Sequence, residues 1–235
     1  LNRVLFSFVS ALLEVEDVTA CNGKERINMS NKQYEEDLGV YLGKTFEELE
    51  IILGKTYAKD NKGRKNKISK DLFSQHFQTN ENLRIAAPTI VVDNDGDEKL
   101  EFGISFPAFS MGSLVKEDWE FSTPKKQIID KQFLFFFWKL LKKEPGNNQY
   151  RLEKIREWSF PEDDIQELKK VWEKTILEIQ NETFEFPKST ESRVSHVRPH
   201  ARDGKDYDKS ITSQDIPKRC FWLNKSYITD EVYKK

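Results

Sequence analysis

Phe133-Leu134-Phe135-Phe136-Phe137-Trp138 constrains the fold more than any other stretch: six consecutive apolar side chains, five of them aromatic. A strand turns successive side chains to opposite faces, so a run without polar alternation needs apolar cover on both sides. It reads as the interior strand of a sheet with packed layers above and below, and as core more than as an aromatic binding box. Strands are also expected at Thr89–Val92 and over residues 100–106. A hairpin-like break at Glu144-Pro145-Gly146-Asn147-Asn148 leads into a further strand over residues 150–160. Pro161-Glu162-Asp163-Asp164 then opens an amphipathic helix to about Gln180. Its proline stands near the first helical position, its acids complement the helix dipole, and Ile165, Leu168, Trp172, Ile176 and Ile179 form the buried stripe. The expected class is α/β, or mixed α+β: a mixed central sheet flanked by helices.

With 37% hydrophobic and 33% charged residues, 235 residues can bury a sizeable core. Residues 1–30 are expected to be an N-terminal linker or packing segment and residues 31–235 the main domain. Starting at Leu1 rather than Met, the chain suits the C-terminal part of a longer protein. No run approaches the roughly 18 to 20 apolar residues of a membrane span, and residues 1–13 lack a small-residue cleavage site. No membrane partner is expected, and a cytoplasmic location is. Cys21 and Cys220 are the only cysteines, too few for a disulfide framework.

Thr45 and Glu48 stand at the spacing at which a hydroxyl and a carboxylate cap each other's backbone amides, and Gly54 supplies a stop. A short amphipathic helix is expected between them, and another over residues 68–77. Residues 55–70 hold seven Lys or Arg (55, 59, 62, 64, 65, 67 and 70) against Asp60. A run like that is usually solvated loop. Its functional reading is phosphate contact at the edge of a DNA cleft, which is blind to sequence and weakens with salt.

A second basic segment is harder to read as filler. From Arg193 to Lys225, eight Lys or Arg (193, 198, 202, 205, 209, 218, 219 and 225) oppose four Asp (203, 206, 208 and 215), in a chain whose net charge is −2. Arg198-Pro199-His200 follows an alternating apolar run, so a strand is expected to deliver it to a loop. Pro199 then stiffens the backbone from which Arg198 and His200 project. A guanidinium held that way has the fork that reads guanine O6 and N7 in the major groove. Phe221-Trp222-Leu223, beside Lys218, Arg219 and Lys225, suits a base edge and phosphates. The same residues also describe a solvated basic strand with an aromatic core anchor.

Val197-Arg198-Pro199-His200-Ala201, a loop, then Pro217, basic residues and Phe221-Trp222-Leu223-Asn224 resembles the C-terminal DNA-reading signature of the MutH-like nucleases. That family includes a mismatch-repair nicking enzyme and GATC-cutting type II restriction endonucleases. The segment from Gly43 to Gly54, with Thr45, Glu48 and Leu49, is similar to the family's first helix. The resemblance has good spacing over residues 39–54 and 192–228 and is loose between them. It implies a MutH, or type II restriction endonuclease-like, core with a DNA-binding cleft, and double-stranded DNA as partner, read at GATC. Arg198, Pro199 and His200 would then enter the major groove and Trp222 flank an adenine edge. Arg202, Lys218, Arg219 and Lys225 would bind phosphates.

Family members that cut DNA carry an Asp and then Glu-x-Lys, the latter within Gly-Val-Glu-Leu-Lys. The acids hold Mg²⁺ and the lysine orients or activates the attacking water. Aligned on the glycine, this chain reads Gly103-Ile104-Ser105-Phe106-Pro107, with Ser105 for the glutamate and Pro107 for the lysine. Asp97 and Glu98, among the acids just upstream, would be remnants of half a site. The resemblance therefore implies an allosteric effector half of a restriction-modification enzyme, with no catalytic residue, metal site or cofactor of its own. Mg²⁺ would serve only a catalytic N-terminal MutH-like domain of the same bacterial enzyme.

Two alternatives stay open. One is a Mg²⁺-dependent GATC endonuclease with a rearranged site using Asp97 or Glu98 and a lysine such as Lys116. The other is a protein-interaction domain with an incidental basic rim. The one literal Glu-x-Lys, Glu167-Leu168-Lys169, falls mid-helix, where residues two apart do not share a face. His196 and His200 have metal-like spacing, but Pro199 breaks the helix that would unite them, and no Cys or third His lies near in sequence. Neither a nucleophile turn nor a Gly-rich phosphate loop is present.

Overall fold

In a computed structural model of the chain, residues 33–58, 63–78, 80–200 and 206–235 are described. The expected segment 1–30 with Cys21, Lys59 and Lys62 of the first basic run, and Arg202 and Lys205 of the second lie outside them. In chain order come α1 (Gln33–Leu38), α2 (Phe46–Leu53) and α3 (Arg64–His76), then short strands β1 (Leu83–Ala86), β2 (Thr89–Val92), β3 (Glu98–Leu100) and β4 (Ile104–Ser105). A helical turn, α4 (Met111–Leu114), precedes the long strands β5 (Gln132–Lys142) and β6 (Gln149–Trp158) and the helix α5 (Glu162–Gln180). The C-terminal part holds β7 (Ser195–Pro199), β8 (Tyr207–Asp208), β9 (Ile216–Pro217), β10 (Arg219–Leu223) and the short α6 (Lys225–Tyr227).

The aromatic run lies in β5 and is covered on both faces, as its lack of alternation requires. Phe133, Phe135 and Phe137 belong to one core with Leu168, Trp172, Phe221, Leu223 and Tyr227. Leu134, Phe136 and Trp138 belong to another with Leu38, Phe46, Leu49, Leu72 and Phe73. One face of β5 thus packs on α1 to α3, and the other on α5 and the C-terminal strands. Phe133 stacks on Phe135 and Phe135 on Phe137 at centroid separations of 5.4 and 5.6 Å. Each fully buried phenylalanine contributes about 1.5–3 kcal/mol.

The sheet around β5 is mixed. β6 runs antiparallel along one edge. On the other edge β1 and β2 follow each other, both parallel to β5, and β3 pairs antiparallel with β2. Pro88, which has no amide to donate, stands in the break between β1 and β2, and its carbonyl accepts from the Trp138 amide at 2.9 Å. A second sheet, ordered β4-β10-β7, is antiparallel throughout, and β8 and β9 form a two-stranded ribbon.

Two expectations need correcting. The single strand over residues 100–106 is two strands in different sheets, because Gly103 lets the chain cross between them. A Cβ there would lie 2.3 Å from the Leu223 carbonyl oxygen, an approach only glycine permits. The second helix starts at Arg64, not at 68, so part of the first basic run is helical rather than loop. Arg64 itself is buried, its guanidinium 4.6 Å from the centre of the Phe46 ring and its Nε donating to Glu50 at 2.9 Å. Pro161 stands next to the first helical residue of α5, as expected, in the N-cap position with extended backbone (φ −61°, ψ 154°).

The cap of α2 follows the expected chemistry. Glu48 N–H donates to the Thr45 hydroxyl at 3.4 Å, Thr45 N–H donates to the Glu48 carboxylate at 2.7 Å, and Gly54 closes the helix at φ 62°. Among the described residues, no helix is long and apolar enough to cross a membrane.

Candidate nucleic-acid interface

β7 carries Arg198 and Pro199 to its exposed end, and His200 follows in the loop. The two-residue period of a strand puts His196 and Arg198 on one face, and Val197, which is buried, on the other. The register with β10 sets Arg198 opposite Cys220 and His196 opposite Trp222, while Trp222 pairs on its other side with Ser105 of β4. Ser105, Trp222 and His196 therefore form one row across three strands, and Arg198 stands in the next row. The position that the family resemblance assigns to a catalytic glutamate lies beside the tryptophan of the reading signature.

Side-chain contacts hold this face in shape. The Arg198 guanidinium lies 5.4 Å from the centre of the Trp222 ring, and the Trp222 and His196 rings stack at 6.4 Å with 27° between their planes. His196 is buried, and its Nδ1 lies 2.5 Å from Asn224 Oδ1, an oxygen that can only accept. The imidazole is therefore held with its proton on Nδ1. Burial pushes its pKa down, the Asn224 bond opposes that shift, and Arg198 adds to it, leaving a neutral ring in the folded chain. Asn224, also buried, donates from Nδ2 to the Ser192 and Arg193 carbonyls at 2.6 and 3.0 Å, which ties the end of β10 to the approach of β7. The His200 amide donates to the Lys218 carbonyl at 2.8 Å, fixing the loop just past Pro199.

The other cations of the segment are dispersed. Arg219 alternates to the opposite face of β10, where its guanidinium lies 4.8 Å from the centre of the Phe186 ring and burial pushes its pKa down. It does not join Arg198. Lys218 is partly exposed and ion-paired with Asp206 at 2.6 Å. Lys225 is exposed at the start of α6 and makes no ion pair among the described residues. Arg193 is held by the buried Asp164, whose other oxygen accepts from the Tyr227 hydroxyl at 2.7 Å.

The chain brings Cys220 beside His200, with Sγ 3.3 Å from Nδ1, a proximity that sequence distance hides. Cys220 is fully buried and burial pushes its thiol pKa up, so it stands as a protonated thiol rather than a ligating thiolate. The acids before Gly103 are engaged elsewhere. Asp93 accepts from the Asp95 and Asp97 amides at 3.0 and 2.9 Å, building the turn between β2 and β3, with Asp97 exposed on it. Glu98 accepts from Lys139 and, at 2.6 Å, from the Tyr233 hydroxyl, and both hydrogen bonds lower its pKa. Lys116 is exposed in the turn after α4. Glu167 and Lys169 lie within α5, where Glu167 accepts from the Arg193 amide at 3.2 Å. Among the described residues, no group of three or more His, Cys, Asp or Glu is placed to hold a metal ion.

The fold places near this face Lys65 and Lys70 of the first basic run, and with them Arg84, which sequence reasoning missed. With Ser105 they line a cavity of about 350 Å³. Arg84 lies in a four-residue strand with no motif around it, and Lys65 falls in a run that reads as loop. A family-model scan of the chain gives no match, and a search of curated proteins finds no significant relative.

Proposed function

We propose that this chain is a sequence-specific double-stranded DNA-binding domain of MutH-like type that reads GATC and lacks a cleavage site of its own. It acts as the effector half of a type II restriction endonuclease whose catalytic MutH-like domain lies elsewhere. The sequence resembles the C-terminal half of the GATC-specific enzyme Sau-three-AI. The observation that carries the reading is the row Ser105-Trp222-His196 with the exposed Arg198 beside it. An arginine backed by an indole presents its fork in a restricted orientation, and a bidentate guanine contact of that kind is worth about 1–3 kcal/mol of discrimination. Next to it the expected acid and base positions hold Ser105 and Pro107, neither of which anchors Mg²⁺ or activates water.

An effector of this kind works if its DNA-bound form favours the cutting-competent arrangement of its partner. A coupling of about 1–3 kcal/mol changes activity roughly 5- to 150-fold. The test is to incubate the chain with GATC-containing duplex in Mg²⁺ while measuring binding to matched and scrambled duplexes. Selective binding without cleavage is the expected result. Mg²⁺-dependent cleavage at GATC would establish the rearranged endonuclease instead, and absence of any DNA affinity at low salt the protein-interaction domain.

A further inference from the structure

The cavity beside Ser105 adjoins a second one of about 410 Å³, and the two share Lys70, Arg84 and Ile85. Together they form a trough along the edge of β1 that does not face β5. Lys65, Lys70 and Arg84 line its first part, and Lys126 and Lys131 continue it. None of these five cations makes an ion pair among the described residues. Lys65 donates to the Thr89 hydroxyl, and Arg84 donates to the Ser105 carbonyl at 3.2 Å with its guanidinium 4.2 Å from the centre of the Phe106 ring. Lys131 donates to the Glu81 carbonyl at 3.0 Å. Among the described residues, Glu81 is the one carboxylate lining the trough. Glu101 lies near enough to favour the charged form of Lys65 but not to pair with it.

Half-buried cations without a counter-ion carry an uncompensated desolvation cost, which an incoming anion relieves. Burial pushes the pKa of both Lys65 and Arg84 down, the direction expected of such groups. Five cations spread over two adjoining cavities suit a chain of anions better than a single one.

We propose that this trough holds consecutive backbone phosphates of the bound DNA directly on Lys65, Lys70 and Arg84, with no divalent metal between. The inference rests on the DNA-binding reading above and adds to it where the backbone lies and how it is held. Where a cutting relative would place carboxylates and Mg²⁺ to face the phosphate, this chain places cations around Ser105. The grip is sequence-blind, while discrimination stays with Arg198 and Trp222.

The test measures duplex affinity by fluorescence anisotropy from about 50 to 200 mM salt, in EDTA and in Mg²⁺, for the intact chain, Lys70→Glu and the double variant Lys65→Gln/Lys70→Glu. Lys70 is exposed on α3, so Lys70→Glu keeps the fold, which thermal melting verifies. Removing one phosphate-neutralising cation lowers the slope of log affinity against log salt by about 0.9. The expected result is a slope lower by about that much in the single variant and about twice that in the double. Affinity for matched and scrambled duplexes falls by the same factor, in EDTA as in Mg²⁺. An unchanged slope in both variants, or a drop seen only in Mg²⁺, overturns the trough. Equal binding of matched and scrambled duplexes by the intact chain would instead sink the sequence-reading proposal, with the slope still deciding the trough.

Discussion

Arg198 holds its guanidinium 5.4 Å from the centre of the Trp222 ring while its own cross-strand partner is Cys220, so the arginine leans along the sheet onto the indole. A cation over an aromatic face gains about 0.5–1 kcal/mol at an exposed site, and the ring also limits where the planar fork can point. Trp222→Leu removes both effects, and Trp222→Phe keeps most of the face. The expected outcome is a loss of about 1 kcal/mol in matched-duplex affinity for Trp222→Leu and a smaller loss for Trp222→Phe. Titration against matched and scrambled duplexes checks it. Equal affinities for the intact chain and Trp222→Leu would mean that the indole has no part in orienting Arg198.

Asn224 is the joint between β10 and the approach to β7. Replacing it with alanine leaves the Ser192 and Arg193 carbonyls and His196 Nδ1 without their partner in a buried site. Unsatisfied buried polar groups cost about 1–3 kcal/mol each. Asn224→Ala is therefore expected to destabilise the fold by about 3 kcal/mol in urea denaturation, with an unchanged denaturant slope. A loss below about 0.5 kcal/mol would show that water replaces the amide without penalty.

His196 gives the fold a pH dependence of known sign. Its pKa is depressed in the folded chain, mainly by burial, so the unfolded chain binds more protons as pH falls through the ordinary histidine value of about 6.5. The stability tied to this neutral ring is present above pH about 6.5 and is lost progressively as pH falls toward the lower folded pKa. His196→Gln, which has no titrating group, is expected to flatten the decline below pH about 6.5. Denaturation midpoints of the two proteins across that window check it, and parallel curves would place the dependence on other groups.

The layered core is legible from residues 133–138, because a strand with no polar face admits one solution. The helix cap at Thr45 and Glu48 is legible for an equally local reason, since the spacing itself makes the bonds. The break within residues 100–106 is not, because it depends on Gly103 meeting the Leu223 carbonyl, an approach between segments far apart in the chain. Arg198, His196 and Trp222 are visible as a motif. Their shared face is not, since it follows from the antiparallel register of β7 and β10. That register also sends Arg219 to the far side, where residue type alone groups it with the phosphate binders. Arg84 carries no local signal, because its character comes from the trough it shares with Lys65 and Lys70.

The most direct measurement compares the intact chain with Arg198→Ala on a GATC duplex and a scrambled duplex of equal length and salt. The intact chain is expected to prefer GATC, and Arg198→Ala to lose about 1–3 kcal/mol of that preference while retaining salt-dependent binding to both. Equal binding of the two duplexes by the intact chain, or an undiminished preference in Arg198→Ala, would contradict that expectation.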